Sequence, residues 1–243
     1  DLNLCRWCGD CADGCSTEAR RQVGSVMTES RLLQEIVTEA PRHRETGGGV
    51  TFTGGEPLLQ AEFLFRLLEG CRALDIHTAV DTCGAAAPYA LERVAELADL
   101  ILYDLKHVDD DSHRRITGSS NREILDNLRL LVRLQAPVRV RFPLVPGVND
   151  DAAHVRRLAE IVASLGFQEI DVVPYRRVAA GSYEALGRAN PASVLRESGP
   201  DAVASAVRVF AEWGVTAAVV RRGAQRLVPF RQSAPFSAAR HRS

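Results

Sequence analysis

The chain has 243 residues, 46% of them hydrophobic and 25% charged, with a net charge of -1. That length builds one large α/β domain or two small ones, and the charge balance offers no basic excess for nucleic acid. No apolar run reaches membrane-spanning length and no signal peptide is present, so the compartment reads as cytoplasmic, with no membrane partner.

The chain begins at Asp1, its one methionine is Met27, and it reads as having lost its natural N-terminus. Residues 1–27 are rich in cysteine and turn formers and read as a small segment of their own. Within it, Cys5, Cys8, Cys11 and Cys15 have the spacing C-x2-C-x2-C-x3-C. This run wraps a 4Fe-4S cluster in bacterial ferredoxins. Close spacing lets the thiolates converge, and Gly9, Ala12 and Gly14 leave room for the wrap. Zinc or unliganded thiols are the other readings, but zinc sites usually come as two separated cysteine pairs. Ser16 departs from the ferredoxin pattern, which has Pro there. Cys71 reads as a core residue.

Thr28 reads as the N-cap of a helix to about Ala40, followed by a polar loop from Arg42 to Thr46. Strands and helices then alternate. The strands are predicted at Val50–Thr53, His77–Asp81, Leu100–Asp104, Val138–Phe142, Ile170–Val173 and Thr216–Val220. The helices are predicted at Leu58–Leu74, Pro88–Ala98, Asn121–Leu134, Asp151–Leu165 and Pro200–Trp213. Repeated βα units mean a parallel sheet with helices outside, either open or rolled into a full or partial barrel. The last residues, 223–243, lack periodicity and read as a disordered tail.

In such architectures ligands bind at the C-terminal strand ends. Here those ends carry Gly54, Gly55 and Glu56; then Asp81, Thr82 and Cys83; then Asp104 and Lys106, the only lysine of the chain; then Arg141; then Tyr175 and Arg176. The strand interiors are expected to stay apolar. Acids at this rim suit an ammonium or ribose hydroxyls, and Lys106 and Arg141 suit a carboxylate. Glycines around the first strand allow positive φ and close approach of a ligand to the backbone. The histidines show no HxH or HExxH spacing and are given no metal role.

Four stretches, GGGVTFTGGEPLLQ (47–60), HTAVDTCG (77–84), DLILYDLK (99–106) and RFPLVPGVND (141–150), resemble the glycyl-radical enzyme activating enzymes of the radical S-adenosylmethionine (SAM) superfamily. The cysteine run resembles the ferredoxin-type insert of one subgroup. The resemblance covers about residues 1–220. It implies an α/β fold: a partial (β/α)6-type parallel barrel over residues 28–222, lacking its first strand, preceded by a small ferredoxin-like iron–sulfur segment.

The resemblance also implies 4Fe-4S clusters and SAM as cofactors. Gly54, Gly55 and Glu56 would bind the SAM amino group. Asp81 and Thr82 would lie near its carboxylate, where relatives hold a monovalent cation. Asp104, Leu105 and Lys106 would line the site, Arg141 would lie near the carboxylate, and Arg176 would replace the usual His beside the adenine. The partners would be a glycyl-radical enzyme and an electron donor such as flavodoxin or ferredoxin. One pattern is missing: the family's catalytic cluster sits on C-x3-C-x2-C, and here Cys11-x3-Cys15 is followed by Glu18 at the position that needs the third cysteine. The chain is therefore expected to be an inactive fragment of an activase. The alternative is an iron–sulfur electron-transfer protein on a degenerate scaffold.

Overall fold

The apolar and β-branched runs form strands, and the helices between them close over one face of the sheet. This computed structural model describes residues 5–6, 8–17, 19–20, 22, 24–177, 183 and 189–220. The elements are α1 (Asp10–Asp13), α2 (Glu29–Thr46), β1 (Val50–Phe52), a 3-10 turn (Pro57–Gln60), α3 (Ala61–Ala73), β2 (Thr78–Thr82), α4 (Pro88–Leu97), β3 (Leu100–Asp104), α5 (Asp110–Thr117), α6 (Arg122–Arg133), β4 (Val138–Leu144), α7 (Ala152–Ser164), β5 (Glu169–Pro174), α8 (Pro200–Glu212) and β6 (Thr216–Val219). All strand pairs are parallel, and the strands lie side by side in chain order from β1 to β6. An order without reversal makes an open sheet wound one way, as in a partial barrel. The tail at 223–243 lies outside the described residues.

Side chains alternate across each strand. On one face Val80, Ile101, Val140, Phe142 and Val172 pack with Leu64, Leu91, Leu128, Leu158 and Phe210 from the helices. Helix α6 shows why it docks there: Ile124, Leu128 and Leu131 recur at helical spacing along its buried face. A smaller cluster of Ile36, Ala40, Cys71 and Ile76 seats α2 against α3. Cys71 is fully buried as expected, and burial pushes its thiol up to about 11.

The other face corrects the expectation of apolar strand interiors. Arg139 and Arg141 share it because β4 alternates Val-Arg-Val-Arg-Phe. Arg139 donates from Nε and Nη2 to the Asp171 carboxylate at 2.6 and 2.7 Å, a bidentate pair whose side chains are only 15% and 6% exposed.

Three helical stretches also depart from expectation. Helix α2 runs through Pro41 to Thr46, so the expected loop is helical. Pro41 removes only the hydrogen bond to Val37, a residue 43% exposed. The stop comes at Gly47, with φ 64°, and the Gly48 N–H returns to the His43 carbonyl. Helix α5 was not predicted, for want of an apolar stripe. It is built by its caps: Asp109 accepts from the Ser112 N–H at 2.9 Å, and Gly118 ends it at φ 81°. The predicted helix at Leu58–Leu74 is a 3-10 turn followed by α3.

Candidate functional site

The glycines that flank β1 serve different ends. At Gly49, ahead of the strand, a Cβ would lie 2.1 Å from the His77 carbonyl oxygen, so packing against the neighbouring strand requires glycine. At Gly54 and Gly55, beyond the strand, a Cβ would meet no atom within 4 Å. Their backbone faces open space on the rim.

Glu56 is braced from the end of β2. Its Oε1 accepts the Thr82 hydroxyl at 2.7 Å and the Leu58 N–H at 3.2 Å. Its Oε2 accepts the Cys83 N–H at 2.9 Å and the Cys83 thiol at 3.1 Å. The Thr82 hydroxyl, buried, also accepts the Gly84 N–H at 2.9 Å. Burial pushes the Cys83 thiol up, and the Glu56 carboxylate adds to the shift, so the thiol stays protonated and can donate.

The next three strands meet at Arg141. Its Nε donates to Asp104 Oδ1 at 2.8 Å and its Nη1 to Asp81 Oδ2 at 3.0 Å. Burial raises the Asp81 pKa above the usual carboxylate range, with Arg141 opposing and Asp104 assisting. Burial opposes the charge on Arg141, but Asp104 and Asp81 outweigh it and hold the guanidinium more firmly charged. Among the described residues Nη2 of Arg141 has no hydrogen-bond acceptor.

Lys106 belongs to the same rim, since its charge reaches the Cys83 thiol. Leu105 does not line it: its side chain lies in the core, and only its N–H takes part, donating to the Arg141 carbonyl at 2.9 Å. Arg176 stands at the far edge, exposed, paired with Glu197 at 3.4 Å. Glu197 is held below the usual carboxylate range first by the Arg177 N–H, then by the charges of Arg176 and Arg177.

Three supporting residues were missed in the sequence. Buried Asn149 donates to the Lys106 and Pro143 carbonyls, each at 2.8 Å, and accepts the Val145 N–H at 2.7 Å, tying the exits of β3 and β4 together. Buried Asn127 donates to the carbonyls of Gly84 and Ala86, each at 2.8 Å. Tyr103 donates to the Ile124 carbonyl at 2.7 Å, and its hydroxyl would stand 1.8 Å from a Cβ at Gly84. One signal was legible: Asn127 interrupts the apolar stripe of α6, and a buried amide requires partners.

The cysteine segment is arranged otherwise. Cys5, Cys8 and Cys11 are exposed, Cys15 is half-buried, and no disulfide joins them. The Cys15 thiol is lowered first by the Thr17 hydroxyl at 3.6 Å. Arg20 lies beside Cys11 and feels Cys15 and Cys5, which raises its own pKa. Among the described residues no three of His, Cys, Asp and Glu are gathered so as to hold a metal ion.

Residues 3–159 match the radical SAM superfamily, and the chain belongs to that superfamily. Its relatives there are activating enzymes of glycyl-radical enzymes. It is 35% identical to the trans-4-hydroxy-L-proline dehydratase activating enzyme of Clostridioides difficile, over 79% of this chain and 65% of that protein. It is 33% identical to the pyruvate formate-lyase-activating enzyme of Staphylococcus aureus, over 85% of this chain and 84% of that protein. The crystal structure of a domain of pyruvate-formate lyase-activating enzyme from Bacteroides vulgatus has a TM-score of 0.61 at 31% identity, covering 72% of this chain and 99% of that one. The chain spans less than two thirds of the length of the hydroxyproline dehydratase relative.

Radical SAM enzymes use 4Fe-4S clusters and SAM. The rim fits the second of these: the backbone at Gly54 and Gly55 faces open space, and the guanidinium of Arg141, at a strand end of the same sheet, keeps one nitrogen without an acceptor among the described residues. The four thiols fit the first by donor chemistry. The six cysteines of this sequence supply no C-x3-C-x2-C run.

Proposed function

We propose that the protein is an activase of a glycyl-radical enzyme and that this chain carries its SAM-holding rim. The observation that carries the reading is the joining of four strand ends into one hydrogen-bonded rim beside two glycines whose backbone is open. Gly54 and Gly55 would let the chain backbone approach the amino group of SAM. Glu56 would set a fixed negative charge behind it. Arg141 would offer Nη2 to the carboxylate, with Asp81 and Asp104 holding its other two donors. Thr82 would act through Glu56, because its hydroxyl is engaged on both sides. Lys106 would complete the wall, and the exposed plane of Arg176 would stack on the adenine.

Cys5, Cys8, Cys11 and Cys15 would hold a 4Fe-4S cluster. That cluster would relay electrons; the family's catalytic cluster, whose C-x3-C-x2-C run is not among these cysteines, would with one electron and SAM supply a carbon radical able to take a hydrogen atom from a backbone glycine. The partner would then be a glycyl-radical enzyme, with flavodoxin or ferredoxin as the electron donor. What the chain itself contributes is binding, orientation and a rim of fixed charges.

Isothermal titration of SAM into the protein and its Gly55→Val variant tests the reading. Because a Cβ at Gly55 meets nothing within 4 Å, the variant should fold normally. Loss of SAM binding with an unchanged thermal midpoint supports the site; equal binding by both proteins removes it.

A further inference from the structure

We propose that Asn127, on α6 and away from the rim surface, is a positioning residue that sets the Gly54–Glu56 cradle through the end of β2. The inference rests on the SAM-binding reading given above. Asn127 is 2% exposed, and both hydrogens of its amide are spent on the carbonyls of Gly84 and Ala86. Those two bonds fix the chain where it leaves β2. The Gly84 N–H then holds the Thr82 hydroxyl, and Thr82 and Cys83 together hold the Glu56 carboxylate. The sequence of contacts runs without a break from α6 to the residue that follows the two open glycines.

The geometry leaves the turn little freedom to find this arrangement by itself. Gly84 has φ 73° and lies against the Tyr103 hydroxyl, which is in turn held by α6 through the Ile124 carbonyl. One helix therefore clamps both the turn and the side chain beneath it. If the Asn127 bonds are lost, the turn can shift, and the Thr82 hydroxyl and Cys83 N–H no longer meet Glu56 together. The negative charge would remain, but its place relative to Gly54 and Gly55 would not be fixed.

The test is a comparison of Asn127→Leu with Leu128→Ala, a core change one residue along the same helix. SAM affinity is read by titration, stability by thermal melting, and protection of the Cys83 amide by hydrogen exchange. Asn127→Leu should weaken SAM binding by about tenfold or more and strip protection from the Cys83 amide. Leu128→Ala should lower the melting temperature while leaving both other readouts near wild type. In a Glu56→Gln background the Asn127→Leu change should have little further effect on affinity, because both act on one contact. Equal SAM affinity in wild type and Asn127→Leu overturns the inference, as does an additive double variant. Failure of the wild-type protein to bind SAM would instead strike the SAM-binding reading itself; loss of Cys83 protection in Asn127→Leu would still show the mechanical link.

Discussion

At the rim, one carboxylate receives four hydrogen bonds, three from the end of β2 and one from the turn after β1, and one guanidinium ties β4 to β3 and β2. Between Cys5 and Cys15 the described contacts are local: a four-residue helix, turn bonds from Gly9 and Asp10, and a hydroxyl beside Cys15. Among the described residues none before Ile36 is buried. The rim is thus ordered by the same packing that orders the sheet, and any ligand meets donors already in place. The described residues of the cysteine segment bring no buried apolar side chain to it, so the ligand that gathers its thiols would also supply free energy that shapes it.

The largest expected effect lies where packing and rim coincide. Gly84→Ala puts a Cβ 1.8 Å from the Tyr103 hydroxyl at a positive φ. Overpacking and backbone strain together should cost about 4 kcal/mol, read from urea unfolding. If Gly84→Ala unfolds like wild type, the rim is not rigidly coupled to the core and does not differ from the cysteine segment in this respect. Next is Asp171→Ala. It leaves the half-buried Arg139 with only the weaker pair to Glu169 at 3.6 Å and should cost about 3 kcal/mol, whereas Arg139→Leu combined with Asp171→Leu should recover most of that loss. A double variant no better than the single would show that the pair does more than neutralise itself.

Much of this architecture is legible along the chain. Each of the six strands begins or ends within two residues of its expected place, because apolar runs of strand length bounded by Gly and Pro leave few alternatives. That Gly54, Gly55 and Glu56 stand together just past the first strand is legible in the sequence. What Glu56 touches is not, since Thr82 and Cys83 come 26 and 27 residues later and only the sheet brings them near. Arg139 was read as part of an apolar strand although the alternation in β4 assigns it to the face opposite Val140; its partner Asp171 lies 32 residues on. Helix α5 shows the opposite error: its caps were readable, but a search for apolar periodicity passes over a helix made by Asp and Arg at its ends.

A third, smaller effect depends on pH and lies just behind the rim. His154, in the first turn of α7, stacks on His107 with ring centroids 4.0 Å apart, and both of its ring nitrogens are buried without a partner. Burial first, then His107 and Arg157, lowers its pKa to about 4, against the opposing charges of Asp151 and Asp109. The folded value lies below the unfolded one, so the unfolded chain binds the proton first. The neutral ring's contribution is full above pH 6.5 and fades as pH falls towards 4, by roughly 3 kcal/mol at most. His154→Phe should flatten the stability profile over that window and raise stability at its acidic end. A variant profile parallel to wild type would place the pH dependence elsewhere.

The smallest expected effect on the fold is the one that best separates the two regions. Replacing Cys5, Cys8, Cys11 and Cys15 together by Ser touches no buried residue, so the melting temperature of the metal-free protein should stay within about 2 °C of wild type. SAM binding at the rim should also survive, since among the described residues the rim's hydrogen bonds come from the strand ends themselves. Iron and sulfide retained after anaerobic reconstitution should fall to background. Hydrogen exchange then gives the sharper reading: reconstitution should protect amides between residues 8 and 17 in wild type, not in the variant, and leave those of β1 to β4 unchanged in both. Protection that spread into the strands would show that the cluster orders the rim as well, and the two regions would have to be treated as one.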